Sequence, residues 1–188
     1  GVAEDHEGDE VSDSVAELAA VNRRILALAA AQSRDIGTRL DADGVTVLAG
    51  TARLVSAGEV EATLHDGTTR SLTADVVLVS TGATPRVMPS AEPDGERILT
   101  WQQIYTLPEL PEHLVVVGSG VTGAELAQAY LGLGGKVTLV SSRDRVLPGE
   151  DADAATVIED VFRKRGMEVL GRSRMASVTR TDDGVLVK

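Results

Sequence analysis

Six residues near the middle of the chain, Gly118-Ser119-Gly120-Val121-Thr122-Gly123, have the types and spacing to hold a phosphate with backbone alone. They follow the aliphatic run Leu114-Val115-Val116-Val117 and lead into Ala124-Glu125-Leu126-Ala127, which has a helical composition. Between a strand and a helix, the first glycine permits a tight turn and the second lets a diphosphate approach the backbone. The third lets the helix pack closely on the strand. Free N–H groups and the positive end of the helix then face the anion. A further strand-like run, Val137-Thr138-Leu139-Val140, ends about 20 residues beyond the glycines, where a side chain that reads the adenosine ribose belongs.

At that strand end stand Ser141, Ser142 and Arg143. A carboxylate there would favour the free ribose hydroxyls of NAD and repel a 2′-phosphate. With none present, Arg143 can offer a charge-assisted bond, so the sequence leans toward NADPH. The alternative is that Arg143 and Arg145 are surface charges after a strand. Glu125, in the first turn of the expected helix, is open to the plain reading that it complements the helix dipole.

Composition narrows the rest. The net charge of −11 disfavours a phosphate polyanion as partner, so no nucleic-acid binding is expected. There is no cysteine, and the three histidines (His6, His65, His113) are far apart, so neither a disulfide nor a metal site is expected. No run approaches the roughly 20 apolar residues that span a bilayer, and the acidic start has the wrong charge for a secretory signal. A cytoplasmic protein is expected. The first residue is Gly1, and Gly184-Val185-Leu186-Val187-Lys188 reads as a strand still in progress, so the chain is expected to be an internal piece of a longer one.

Around these motifs the periodicities predict an acidic stretch over 1–12 and an amphipathic helix from Asp13 to Leu40, capped by Ser12 or Asp13. Short strands follow at Val45–Ala49, Ala52–Val55, Val60–Leu64 and Arg70–Thr73, forming an antiparallel meander with a turn at Asp66-Gly67. Val76-Val77-Leu78-Val79 is apolar on both faces, as a buried parallel strand would be, and stops at Ser80-Thr81-Gly82-Ala83-Thr84-Pro85. After a solvated connection and a short helix at Trp101–Tyr105, the chain alternates: strand to Val117, helix Val121–Leu133, strand Lys136–Ser141, helix Ala152–Arg165, strand Met167–Leu170, then two more β runs. Such alternation implies α/β architecture with a parallel sheet. Domains are expected at 13–110 and 111–188.

The Ser80–Pro85 turn after an apolar strand, followed by the Gly118–Gly123 fingerprint and Ala124-Glu125-Leu126-Ala127, resembles the pyridine nucleotide-disulfide oxidoreductase family over roughly Val11 to Lys188. The first motif is similar to that family's "ATGxxP" turn. Ala74–Val79, Pro93–Trp101 and Ala176–Thr181 look most like the actinobacterial NAD(P)H quinone reductases within it. The resemblance implies an FAD/NAD(P)-binding Rossmann-like two-domain fold, with part of the FAD domain in 13–110 and a truncated NAD(P) domain in 111–188.

By the same resemblance, Gly50, Thr51 and Ala52 meet the FAD adenine through their backbone, and Ser80, Thr81 and Gly82 line the FAD cleft. Glu125 approaches the nicotinamide and Met175 contacts the adenine side of NAD(P). Gly118, Ser119, Gly120, Val121, Thr122, Gly123, Ser141, Ser142 and Arg143 complete the cofactor-binding set. Val121 stands where glutathione reductase has a gating tyrosine, so no aromatic shield over the flavin is expected. The family's FAD fingerprint and redox CxxxxC would precede Gly1, and its dimer domain would follow Lys188, so a homodimer is implied through that domain.

The implied activity is hydride transfer from NAD(P)H to FAD and on to a small quinone-like acceptor. A disulfide such as lipoamide, or transhydrogenase chemistry, is the alternative. A module that binds NAD(P)H as a sensor without turnover is a third reading. No catalytic side chain is nominated, because the cofactors carry the hydride chemistry, and the chain alone is expected to show little activity.

Overall fold

The computed structural model describes residues 17–188, which form two compact units. One comprises residues 25–85, and the other residues 86–188 together with the described residues before 25. The acidic stretch and the proposed caps Ser12 and Asp13 lie outside the described residues.

The expected helix forms as α1 (Leu18–Ala42), but its apolar stripe is buried only near the start, at Leu18, with the polar Asn22 buried one turn on. Asn22 Nδ2 donates to the Leu107 carbonyl at 3.0 Å. Farther along, Ile25, Leu26, Leu28 and Ile36 are all exposed. The strands β1 (Gly50–Ser56), β2 (Glu59–Leu64) and β3 (Thr69–Thr73) form the expected antiparallel meander in the order β1-β2-β3. Its β2–β3 turn is built by Asp66, whose carboxylate accepts from the hydroxyl and amide of Thr68 at 2.7 and 2.9 Å. Those bonds hold its pKa below the ordinary carboxylate value. Gly67 takes the left-handed turn position at φ +84°.

Two expected strands do not form. Residues 45–49 are irregular, and β1 begins only at Gly50. The run 76–79 belongs to no sheet, and Val76, Leu78 and Val79 are 83%, 86% and 69% exposed. Apolarity on both faces predicts a strand only where neighbours accept its hydrogen bonds and cover those faces. Among the described residues none does.

In the second unit, β4 (His113–Val117), β5 (Lys136–Val140) and β6 (Glu168–Leu170) form a parallel sheet in that order. Helix α2 (Val121–Gly132) links the first pair and α3 (Ala152–Lys164) the second. Parallel strands need such crossovers, and helices on a sheet bury its strands, so β5 is buried from Val137 through Val140. Val137, Leu139, Ala127, Tyr130, Phe162, Met167 and Val169 make up most of the core. Tyr130 donates its hydroxyl to the Ile104 carbonyl at 3.2 Å, and burial, with Tyr105 nearby, pushes its phenol pKa up to about 12.

The predicted short helix is a single 3-10 turn at Gln103–Thr106. The last two β runs are a hairpin, β7 (Val178–Arg180) with β8 (Val185–Val187). It is tied to the 86–98 segment by Val178 N donating to Ser90 O at 2.8 Å and by Arg180, which reaches Asp94 at 2.9 Å and also pairs with Glu96.

Candidate nucleotide-binding site

Parallel pairing sets the site. The register ends with Val117 opposite Val140, and the Gly118 amide donates to the Val140 carbonyl at 2.9 Å. Both strands therefore stop together, and the fingerprint loop and the 141–147 segment leave the same edge side by side. Ligands of open α/β sheets bind at the carboxyl ends of the strands.

The three glycines of the turn differ in what the backbone asks of them. Gly118 lies at φ +114°, where side-chain-bearing residues are strained. A Cβ at Gly123 would fall on the carbonyl oxygen of Gly118, so this glycine is what allows α2 to rest on the turn. A Cβ at Gly120 would meet no protein atom within 4 Å. No protein packing requires a glycine there, and the space beside its backbone is open.

Gly120 is the N-cap of α2 and offers no side-chain cap. The first-turn amides of Val121, Thr122 and Gly123, which have no carbonyl within the helix, remain available to an anion. The arrangement of amides, dipole and clearance fits a nucleotide diphosphate. Glu125 is exposed and is the fifth residue of α2, beyond the first turn, which holds no acid. The expectation of a first-turn dipole partner is thereby corrected: α2 starts at Val121, and the macrodipole's influence fades within the first turn.

Ser119 and Ser141 are buried, with their hydroxyls 2.7 Å apart. Ser142 and Arg143 are exposed beside them. The carbonyl of Arg145 accepts from Ser141 Oγ at 3.2 Å and, more weakly, from Ser119 Oγ at 3.4 Å. That carbonyl had no signal in the sequence, because a backbone acceptor carries no residue type. For Arg145 the alternative of a plain surface charge does not hold, since its Nε is enclosed without a hydrogen-bond partner. Met175 is half-buried, beyond the 171–173 turn that packs against the 141–144 segment.

The residues matched to FAD contacts lie in the other unit. Gly50, Thr51 and Ala52 open β1, opposite Leu64, Thr63 and Ala62, and are exposed. A side chain at Gly50 would collide with the Thr63 carbonyl, so pairing with β2 already accounts for that glycine. Ser80, Thr81 and Gly82 form an exposed irregular segment, with Gly82 at φ +72°.

Among the described residues no group of three or more His, Cys, Asp or Glu side chains is placed to hold a metal ion, and no helix is long and apolar enough to cross a membrane.

Comparison with known proteins agrees with this geometry. A protein of Mycobacterium tuberculosis named NAD(P)H dehydrogenase (quinone) is 54% identical over 93% of this chain, which spans 37% of that protein. A dihydrolipoyl dehydrogenase of Chlorobaculum tepidum is 37% identical over 90% of the chain, which spans 36% of it. The crystal structure of LpdA from Mycobacterium tuberculosis superposes with a TM-score of 0.84 at 54% identity, covering 91% of this chain and 39% of that one. The model of the pyridine nucleotide-disulphide oxidoreductase family matches residues 3–188, and with the fingerprint turn and parallel sheet in place, the chain belongs to that family.

Proposed function

We propose that the protein is an FAD-dependent oxidoreductase that takes hydride from NAD(P)H and passes the electrons to a quinone-like acceptor. The observation that supports this most directly is the uncapped N-terminus of α2, with open space at Gly120 and strand ends on either side. When bound, the nicotinamide supplies hydride and the flavin accepts it. The chain's own part is to bind and orient. The amides of Val121, Thr122 and Gly123 hold the diphosphate, Ser142 and Arg143 face the ribose, Glu125 lies toward the nicotinamide, and Met175 borders the adenine. The backbones of Gly50–Ala52 and Ser80–Gly82 contact FAD, and the apolar run 76–79 is covered within the complete FAD domain.

The quinone acceptor rests on the printed name of the Mycobacterium tuberculosis relative. A second reading, reduction of a disulfide such as lipoamide, is favoured by the dihydrolipoyl dehydrogenases among the relatives. A homodimer and a cytoplasmic location belong to the same proposal. Anaerobic addition of NADPH to the purified full-length protein that contains this chain should bleach a bound flavin spectrum, and reoxidation by a benzoquinone but not by lipoamide should distinguish the acceptors. A colourless full-length protein that gains no flavin spectrum with added FAD overturns the proposal.

A further inference from the structure

The hydroxyl at the end of β5 is fully committed. Ser141 is 0% exposed and Ser119 5%. Ser141 Oγ accepts from Ser119 Oγ at 2.7 Å and from the Arg143 amide at 3.1 Å, and donates its own proton to the Arg145 carbonyl at 3.2 Å. One donor and two acceptor sites are all a serine hydroxyl has, so none remains for a ribose.

The backbone around it is equally fixed. Leu147 N donates to Ser119 O at 2.8 Å, Ser173 N to Ser141 O at 2.8 Å, and Arg172 N to Arg143 O at 2.7 Å. The amide and the carbonyl of Arg143 are thus both held, while its side chain and that of Ser142 face solvent.

We infer that Ser141 is a positioning residue for nucleotide selectivity: through Ser119 and the Arg143 amide it fixes the place from which Ser142 and Arg143 read the 2′-substituent of the adenosine ribose, and it touches no ligand itself. This rests on the nucleotide site proposed above. It explains why a buried hydroxyl, rather than an exposed one, stands where a ribose-reading side chain was expected. Removing the hydroxyl leaves the Arg143 amide without its acceptor and the Arg145 carbonyl with only the longer bond from Ser119, and the loop can drift. Selectivity for a group met by a charged, directional bond should fall before diphosphate binding does.

The test is calorimetric titration of the protein with NADP+ and with NAD+, which differ only at the 2′ position. Ser141→Ala should weaken NADP+ by about fivefold, the scale of one neutral hydrogen bond, and leave NAD+ nearly unchanged. In a Ser142→Ala, Arg143→Ala background the same substitution should have no further effect on NADP+, because the residues it acts through are gone. Should the alanine variant fail to fold, Ser141→Cys, similar in size with a weaker hydrogen-bonding group, carries the same expectation. Equal loss for both nucleotides, a loss that persists without Ser142 and Arg143, or a wild type with no preference for NADP+ overturns the inference. A wild type that binds neither nucleotide refutes the site itself.

Discussion

Gly120 and Gly123 are glycines for opposite reasons, and substitution separates them. Alanine at Gly123 places its Cβ on the Gly118 carbonyl, a backbone atom that cannot swing aside, so Gly123→Ala should cost about 1–3 kcal/mol of stability as well as binding. Alanine at Gly120 meets open space at φ −69° and ψ −177°, which any residue adopts. Gly120→Ala should therefore cost less than about 1 kcal/mol, the scale of losing a favourable N-cap residue. Its NADP+ affinity should nevertheless fall by an order of magnitude or more. Thermal unfolding beside nucleotide titration checks both. A Gly120→Ala protein that binds normally would show that the diphosphate does not lie against that residue.

Among the elements, α3 supplies the clearest local logic. Asp151 caps it, its carboxylate accepting from the amides of Asp153 and Ala154 at 3.0 Å each, while Arg163 and Lys164 occupy the last turn. Both ends complement the helix dipole. A chain of polar side chains crosses the parallel sheet from β4 through β5 to β6: His113, Thr138 and Glu168. Thr138 donates to the Glu168 carboxylate at 2.7 Å, so it accepts from His113 Nε2 at 2.8 Å, which places a proton on that nitrogen. Asp151→Ala should lower unfolding free energy by about 0.5–2 kcal/mol, read by denaturant titration, with little effect on nucleotide affinity because the cap lies outside the proposed site. An unchanged midpoint would mean that α3 is held by its packing alone.

At the scale of the whole molecule, the link between distant segments runs through Asp94. Its carboxylate accepts from the amides of Glu96, Arg97 and Ile98 at 2.8–2.9 Å, and Arg180 of the β7–β8 hairpin adds an ion pair. The amide bonds, Ile98's first, with a lesser contribution from Arg180, hold its pKa well below the ordinary carboxylate range. A lowered carboxylate pKa means stability that is complete above the unfolded-state value and is lost as pH falls through the folded one. Exchange protection of the 96–98 amides should therefore persist to a pH well below about 4, the ordinary range for such a group, and then collapse. In Asp94→Asn the protection should already be weak at neutral pH, and identical acid profiles for the two proteins would remove Asp94 as the cause.

The α/β alternation, the meander and the three glycines were legible in the residues, because their causes are local: side-chain period, turn chemistry and the clearance a missing Cβ gives. Pairing was not local. Residues 76–79 read as a strand from composition, yet stand exposed without a neighbour to bond them. The role of Ser141 was equally hidden: its type suggested a ribose contact, and only the juxtaposition of two strand ends showed its hydroxyl enclosed by Ser119, Arg143 and Arg145. Sequence by itself determined the tight turn, the helix start and the side-chain-free clearance at residues 118–123. The tertiary structure decided which side chains beside it are free to meet a ligand, since hydrogen-bond commitment depends on what the fold brings within 3 Å or so.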